Sequence, residues 1–394
     1  MDEFLNLEAK EIERWISSDE ISVAVEADVF KIVLKWIEQN KSERKASFEQ
    51  LFRHVRLAFL SRDFLLDFVT NELVEENSDC FKLLSKAIKL PGFLSEENFP
   101  QSPRKGLGPR AIVACGGKYT FCYLPETNEW KRLADGLTDK YENTQMINHC
   151  DQLYAFPPAG MVERYDPLFD CWSTLDHLGW PSGPDTQVTV VRGQIYSLDN
   201  NPHISRISTI RRFNVERCSW QTVLSSGEGC RVGSCLVAAG NHLYVCGGRV
   251  ENDFTSKAER FDTVENKWEE ISNMKQKRGF AFGAATEGKI IVAGGRENWR
   301  SCLETCEMLN ILTNEWQLIG SLKVPCERGS MVCLKGTLYA LSGLNVECYD
   351  PTEDKWIETT TIPKRMIFKY NTDKFTLCVL KLCKGVLDKI DVIH

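Results

Sequence analysis

Two hydrophobic patterns divide the chain. Up to about residue 90 the apolar positions recur every three or four residues: Ile12, Trp15 and Ile16; Val29, Val33, Trp36 and Ile37 within Glu26–Gln39; and Phe48, Leu51, Phe52 and Val55. That spacing is the stripe of an amphipathic helix, and the short polar connections predict helices packed as antiparallel neighbours. Ser61 and Ser78 each precede a further apolar segment, Phe64–Val69 and Phe81–Ile88. Both suit N-cap positions, where a hydroxyl accepts from an orphan backbone N–H. Pro91-Gly92 closes the helical part, and 95–109, with three prolines and two glycines, reads as a linker.

From residue 111 the pattern switches to short β runs: Ile112–Cys115, Leu153–Phe156, Ile195–Leu198, Leu243–Cys246, Ile290–Ala293 and Leu338–Leu341. In most units another strand precedes across a tight turn, as in Ser234–Val237 before Gly240-Asn241, Phe282–Ala285 before Gly288 and Ser330–Cys333 before Gly336. An aromatic or apolar residue then stands seven positions before a Trp. The pairing returns six times: Tyr123/Trp130, Tyr165/Trp172, Phe213/Trp220, Phe261/Trp268, Leu309/Trp316 and Tyr349/Trp356, at Trp spacings of 42, 48, 48, 48 and 40. Asn or Asp lies two before the Trp in five of the six, marking a turn inside each unit. Each unit thus supplies four strands, and six four-stranded sheets that cannot bury their own faces stack radially into a β-propeller. The first unit opens at its second strand, so the run Phe375–Leu382 is expected to return as its missing inner strand and close the ring.

The expected architecture is α plus all-β: a helical domain over 1–90, a linker over 91–110, a six-bladed propeller over 111–382 and a C-terminal tail over 383–394. The helical part resembles the BACK domain of kelch-like proteins, on Val29–Ile37 (VFKIVLKWI), Arg44 and Leu51–Leu60 (LFRHVRLAFL). Members of that family begin with a BTB domain and the first BACK helices, and neither is read in this sequence. The pairs Gly116-Gly117, Gly247-Gly248 and Gly294-Gly295, with Ser342-Gly343 as a weaker form, make the β part similar to kelch repeats. Glycine there permits positive φ and close backbone approach. Units two and three depart from this, with Pro157-Pro158-Ala159-Gly160 and Asp199-Asn200-Asn201-Pro202.

Charge changes the picture little. The net charge of −7 belongs to the first 100 residues, where 13 Lys and Arg face 20 Asp and Glu; the rest holds 35 of each. No concentrated basic surface suggests a nucleic-acid partner. No apolar run reaches the length of a membrane span. The acidic N-terminus lacks an apolar signal core, so the 16 cysteines read as reduced thiols of a cytoplasmic or nuclear protein. Many of them lie inside strand runs as small buried hydrophobes.

Catalytic chemistry finds little to stand on. Six histidines are scattered without an HxxxH pair, and Cys302-x-x-x-Cys306 has no second pair to complete a zinc site. No catalytic residue, metal ligand or cofactor is expected. The six Trp residues, one per blade, read as core and not as a ligand-stacking array. The arginines in loops are better candidates. Arg231, Arg278, Arg328 and Arg365 each come just before an inner strand, while Arg249 and Arg296 follow the Gly-Gly pairs. In kelch-like proteins these loops open on one face around the central channel and take the partner. If that carries over, the arginines ring one mouth, where their forked donors suit the carboxylates of an acidic peptide segment. Tyr119, Asn298 and Trp299 would supply anchor area. The competing assignment is that loop arginines solvate the face or brace neighbouring blades.

By resemblance the chain is a non-enzymatic protein-binding adaptor, the substrate-recognition subunit of a cullin-3 type ubiquitin ligase. Because the cullin contact in that family depends chiefly on the BTB domain and first BACK helices, this chain is expected to hold a partner yet capture cullin-3 poorly. A cytoskeletal or scaffolding kelch protein, such as an actin binder, is the alternative. A propeller enzyme lacks the metal ligands, arginine clusters or Asp-box signatures it would need.

Overall fold

The computed structural model describes residues 7–18, 21, 26–57, 60, 65–66, 71–89, 109–137, 144–149, 152–157, 161–167, 169–175, 186–200, 208–214, 219–226, 231–363, 375–382, 384–387, 390 and 392–393. Ser61, Arg365 and nearly all of the expected linker lie outside the described residues.

The helices bury the faces their periodicity requires. Helix Ala9–Ser17 buries Ile12 and Ile16, helix Glu26–Gln39 buries Val29, Phe30, Val33, Leu34, Trp36 and Ile37, and helix Phe48–Phe52 buries Phe48, Leu51 and Phe52. All join one core with Val55, Leu83 and Leu84. Ser78 is not the cap expected of it: it is the first residue of helix Ser78–Lys89. The cap is Asn77, whose Oδ1 accepts from the backbone N–H groups of Asp79 and Cys80, both at 3.1 Å. One carboxamide oxygen thereby satisfies two orphan donors.

Six sheets follow. Blade two is Gln145–His149, Gln152–Phe156, Val162–Asp166 and Cys171–Leu175, from the inner strand outward; blade three is Thr186–Val191, Gln194–Asp199, Ser208–Asn214 and Ser219–Ser226. Blade four is Cys235–Ala239, His242–Cys246, Ala258–Asp262 and Lys267–Glu270, with a small hairpin, Arg249–Val250 and Asp253–Phe254, rising from it. Blade five is Phe282–Thr286, Lys289–Ala293, Cys306–Asn310 and Glu315–Ile319, and blade six is Ser330–Leu334, Thr337–Ser342, Asn345–Asp350 and Lys355–Thr361. Blade one is closed as expected: Thr376–Lys381 pairs antiparallel with Arg110–Gly116, from Arg110 opposite Lys381 to Cys115 opposite Thr376, ahead of Tyr119–Leu124 and Glu129–Arg132. The inner strands meet one another in order round the ring, and Thr376–Lys381 touches both the inner strand of blade six and that of blade two. The last residues, expected as a tail, carry a short helix, Lys384–Leu387, and a fifth strand on blade one, Val392–Ile393.

The recurring pair builds the blade. Each Trp stands opposite its partner seven residues back across the third and fourth strands, and the five aromatic pairs have ring centroids 5.2–5.5 Å apart. The Asn or Asp between them takes a left-handed conformation in all five units that have one, with φ from 47° to 56°. These are the residues that tolerate it best. Trp130, Trp172 and Trp316 donate their indole N–H to the preceding blade, to Thr360 Oγ1 at 2.9 Å, the Ala134 carbonyl at 3.0 Å and the Ser272 carbonyl at 2.7 Å. A single side chain thus fills a blade and fastens it to its neighbour.

Candidate functional site

The loops that could bind a partner gather where the lead-in to each inner strand crosses the preceding blade. At this crossing the Gly-Gly pairs have their use. Gly248 donates its N–H to the Arg278 carbonyl at 2.7 Å and Gly295 donates to the Cys326 carbonyl at 2.8 Å, so the lead-in of the next blade runs directly over the pair. All four glycines have positive φ, and a Cβ on Gly247 or Gly294 would collide with those same carbonyl oxygens.

The crossing fixes a register that the sequence spacing obscured. Arg231 and Arg278 are equivalent, but the residue equivalent to them in blade six is Cys326, and Arg328 stands two positions further on, level with Gly233 and Phe280. Arg231 and Arg278 therefore do not ring a mouth. Arg278 is fully buried: its Nε donates to Glu307 Oε1 at 3.1 Å, its Nη1 to the carbonyls of Gly294 and Thr305 at 3.0 and 2.7 Å, and its Nη2 to Thr305 Oγ1 at 2.9 Å. Glu307, equally buried, also accepts from the backbone N–H groups of Lys275 and Gln276 at 2.6 and 3.0 Å. Arg231 repeats this in blade four, with Glu259 at 2.6 Å and the Lys257 carbonyl at 2.7 Å. Burial holds its pKa below the usual arginine value, and the Glu259 charge offsets only part of that. A guanidinium has five donors and no acceptor, so only a pocket of carbonyls and a carboxylate lets it be buried, and here that pocket is its own blade. The missed signal was acidic: Glu163, Glu259, Glu307 and Glu347 each lie nine residues before a Trp.

The positions level with Gly233 carry two half-buried side chains beside an exposed one, Trp299. Phe280 and Arg328 both hold a left-handed backbone, φ 57° and 54°, and the backbone N–H of each donates to the preceding one: Phe280 to Gly233 at 2.6 Å and Arg328 to Phe280 at 2.8 Å. Glycine adopts that conformation freely, whereas a side chain there costs about 1–2 kcal/mol. The Phe280 ring leans over Gly233, where a Cβ would sit 2.5 Å from it, and the Phe254 ring leans over Gly279 in the same way, at 2.6 Å. Trp299, 55% exposed, caps both rings at centroid distances of 5.2 Å (Phe254) and 6.3 Å (Phe280). Two guanidinium groups lie on this cluster, Arg249 5.2 Å from the Trp299 centroid and Arg328 4.5 Å from that of Phe280. Val250 and Val324 add exposed apolar surface on neighbouring loops. Phe254 and Phe280 were not singled out from sequence; two aromatics in polar loops, each matched to a glycine in the adjoining lead-in, were the available signal.

The other expected residues divide. Arg249 and Trp299 are in the cluster, and Asn298 is exposed beside it, its Oδ1 accepting from Arg300 N at 2.8 Å in the turn that presents Trp299. Arg296 is engaged by both carboxylate oxygens of Glu327 and spans blades five and six. Tyr119 is apart, on blade one, half-buried under Arg132 at 5.4 Å. On the ring axis a cavity of about 600 Å³ is lined by the inner strands, with Phe280, Arg328 and Phe375 at one mouth and Arg110 and Lys381 at the other; its described lining holds no Asp or Glu. No cluster of His, Cys, Asp and Glu able to hold a metal occurs among the described residues, and no helix among them is long and apolar enough to cross a membrane.

Comparison with known proteins agrees with this layout. Residues 1–70 match the BACK family, described as BTB And C-terminal Kelch, and 230–275 and 277–323, blades four and five with their lead-ins, match the Kelch motif. The chain is 23% identical to Kelch-like protein 41a of Danio rerio and 26% identical to Kelch-like protein 24 of Rattus norvegicus, over 95% of its own length and 66% of theirs. It is 24% identical to Kelch repeat and BTB domain-containing protein 12 of Danio rerio, over 92% of this chain and 61% of the relative. The chain thus spans just under two thirds of the length of these relatives.

Proposed function

Because the chain is a kelch-like protein, with a BACK module followed by a kelch propeller, we propose that it is a non-enzymatic adaptor that captures a partner protein on the face bearing Trp299, Phe254, Phe280, Arg249 and Arg328. The helical module would carry the captured protein into a larger assembly, by family resemblance a cullin-3 ubiquitin ligase in the cytoplasm or nucleus. What supports the reading is the backbone at Phe280 and Arg328. Blade four makes the same crossing with glycine, so the left-handed strain at these two positions is not needed to build a blade. It occurs where it places a half-buried aromatic ring and a half-buried guanidinium beside Trp299, as strain at binding sites commonly does. An exposed Trp299 and a half-buried Phe280, each with an arginine on its face, suit a segment that offers an apolar anchor beside a carboxylate.

The test is comparative affinity capture with the full chain and with Trp299→Ala combined with Arg249→Ala. Trp299 is exposed and Arg249 half-buried beside it, so melting should change little while specific partners fall about tenfold or more. An unchanged partner set would overturn the face. Binding of purified cullin-3, measured separately, decides the assembly and leaves the face untouched.

A further inference from the structure

We propose that Val386, Leu387, Ile390, Val392 and Ile393 form a second, non-covalent tie between the helical module and blade one, holding the propeller at a fixed orientation on the helices. The covalent connection runs through residues 90–108. The C-terminal segment adds a connection of its own. Val386 and Leu387 are adjacent in the short helix Lys384–Leu387, yet Val386 is buried in the helical core, with Leu83, Leu84 and Ala87, and Leu387 in the core between blades one and two, with Cys122, Leu133 and Trp172. Neighbouring helical residues point about 100° apart, so one turn serves two cores. Ile390 packs against both.

The segment is fastened on the propeller side. Lys131, on the outer strand of blade one, donates its Nζ to the carbonyls of Leu387 at 2.7 Å and Ile390 at 3.2 Å. These acceptors stand at and just beyond the end of the helix, where carbonyls lack intrahelical partners. Val392 and Ile393 then pair with Lys131 and Trp130 and cover the edge of the blade. Edge cover alone would need only these last two residues. It does not explain an apolar side chain placed in the other module's core. Since the partner face is built on blades four to six, the tie would determine where the captured protein points relative to the helices, whatever that protein is.

Calorimetry and small-angle X-ray scattering on the full chain test this. The wild type should melt with the helical module coupled to the propeller. Val386→Asp, at a side chain that belongs to the helical core alone, should resolve a separate helical transition several degrees lower, leave the propeller within about 2 °C, and enlarge the radius of gyration. Lys131→Met, which leaves both cores intact, should produce the same separation to a smaller degree. Two transitions in the wild type, or unchanged melting and scattering in both variants, would overturn the tie. So would a propeller that falls as far as the helices, since the segment would then be only a part of blade one. Partner capture should persist throughout, so the tie and the partner face can fail independently.

Discussion

In blades four and five, a buried arginine in the lead-in is bound to a glutamate on the third strand: Arg231 to Glu259 and Arg278 to Glu307. In blade three the signs are exchanged, with Asp199 ending the second strand and Arg211 on the third, at the place of the glutamate. The crossing itself differs too. Where blades four and five use Gly-Gly, blade three has Asn200, almost fully buried, whose Nδ2 donates to Ser234 Oγ at 3.2 Å in the lead-in of blade four. A charge pair and an inter-blade hydrogen bond are thus supplied in each case by different atoms. The family motif matches the first solution and not the second, although the sheets are alike.

The sharpest way to break the comparison is to remove Arg278. Glu307 would be left charged and buried, with its two backbone donors still in place, and Arg278→Ala should cost about 3–5 kcal/mol in chemical denaturation. Arg278→Lys should recover only part of that, because one ammonium cannot replace the fork that reaches Gly294, Thr305 and Glu307 together. A loss under about 1 kcal/mol would mean that the pair is incidental to the blade. Arg231→Ala comes next, at about 2 kcal/mol, since Glu259 keeps Lys257 at 2.6 Å and some solvent.

That ordering also explains what could be read before the fold was known. The strands, the Trp pairs, the turn residues and the closing strand were legible because each is a local pattern with its own physical cause, repeated at a fixed spacing. The arginines were legible as a set but not by role. Arg278 and Arg328 look equivalent in sequence, both just ahead of an inner strand, and a two-residue offset puts one in a carbonyl pocket and the other on a surface ring. Only the crossing hydrogen bonds, between residues about 30 apart, settle that offset. Phe254 and Phe280 were hidden for a similar reason: what seats each ring is a glycine in a different segment of the chain.

Blade three should show the weaker form of the brace. Arg211 is nearly one third exposed, so Arg211→Ala should cost about 1 kcal/mol, well below Arg278→Ala. Its acid partner gives a pH signature. Burial raises the Asp199 carboxyl above 3.8, against the opposing pull of Thr186 and Arg211. A raised folded-state pKa means that the protonated group favours the fold. This contribution is complete below the ordinary value and is lost as pH climbs through the raised one. The deficit of Asp199→Asn relative to wild type should therefore shrink as pH rises from about 3.5 toward neutrality. A deficit that grows over that window would show instead that the charged pair with Arg211 dominates, as it does in blade five.

The smallest effect concerns thiols, and it sets the arginine-braced blades four and five against blade two. In blades four and five, Cys246 and Cys306 are pushed up to about 12 by burial, and Cys235, wholly enclosed, also rises well above 9.0. Blade two carries Cys171 on its outer strand, exposed. Alkylation needs the thiolate and access to it, so native iodoacetamide labelling near pH 8 should modify Cys171 early while Cys235, Cys246 and Cys306 wait for unfolding. Mapping the modified peptides by mass spectrometry against time gives the order directly. Early labelling of Cys246 would mean that blade four opens on its own despite its buried arginine. In Arg231→Ala, Cys246 should become reactive before Cys306, because the Arg231 donors that reach the Gly247 and Val245 carbonyls flank that thiol.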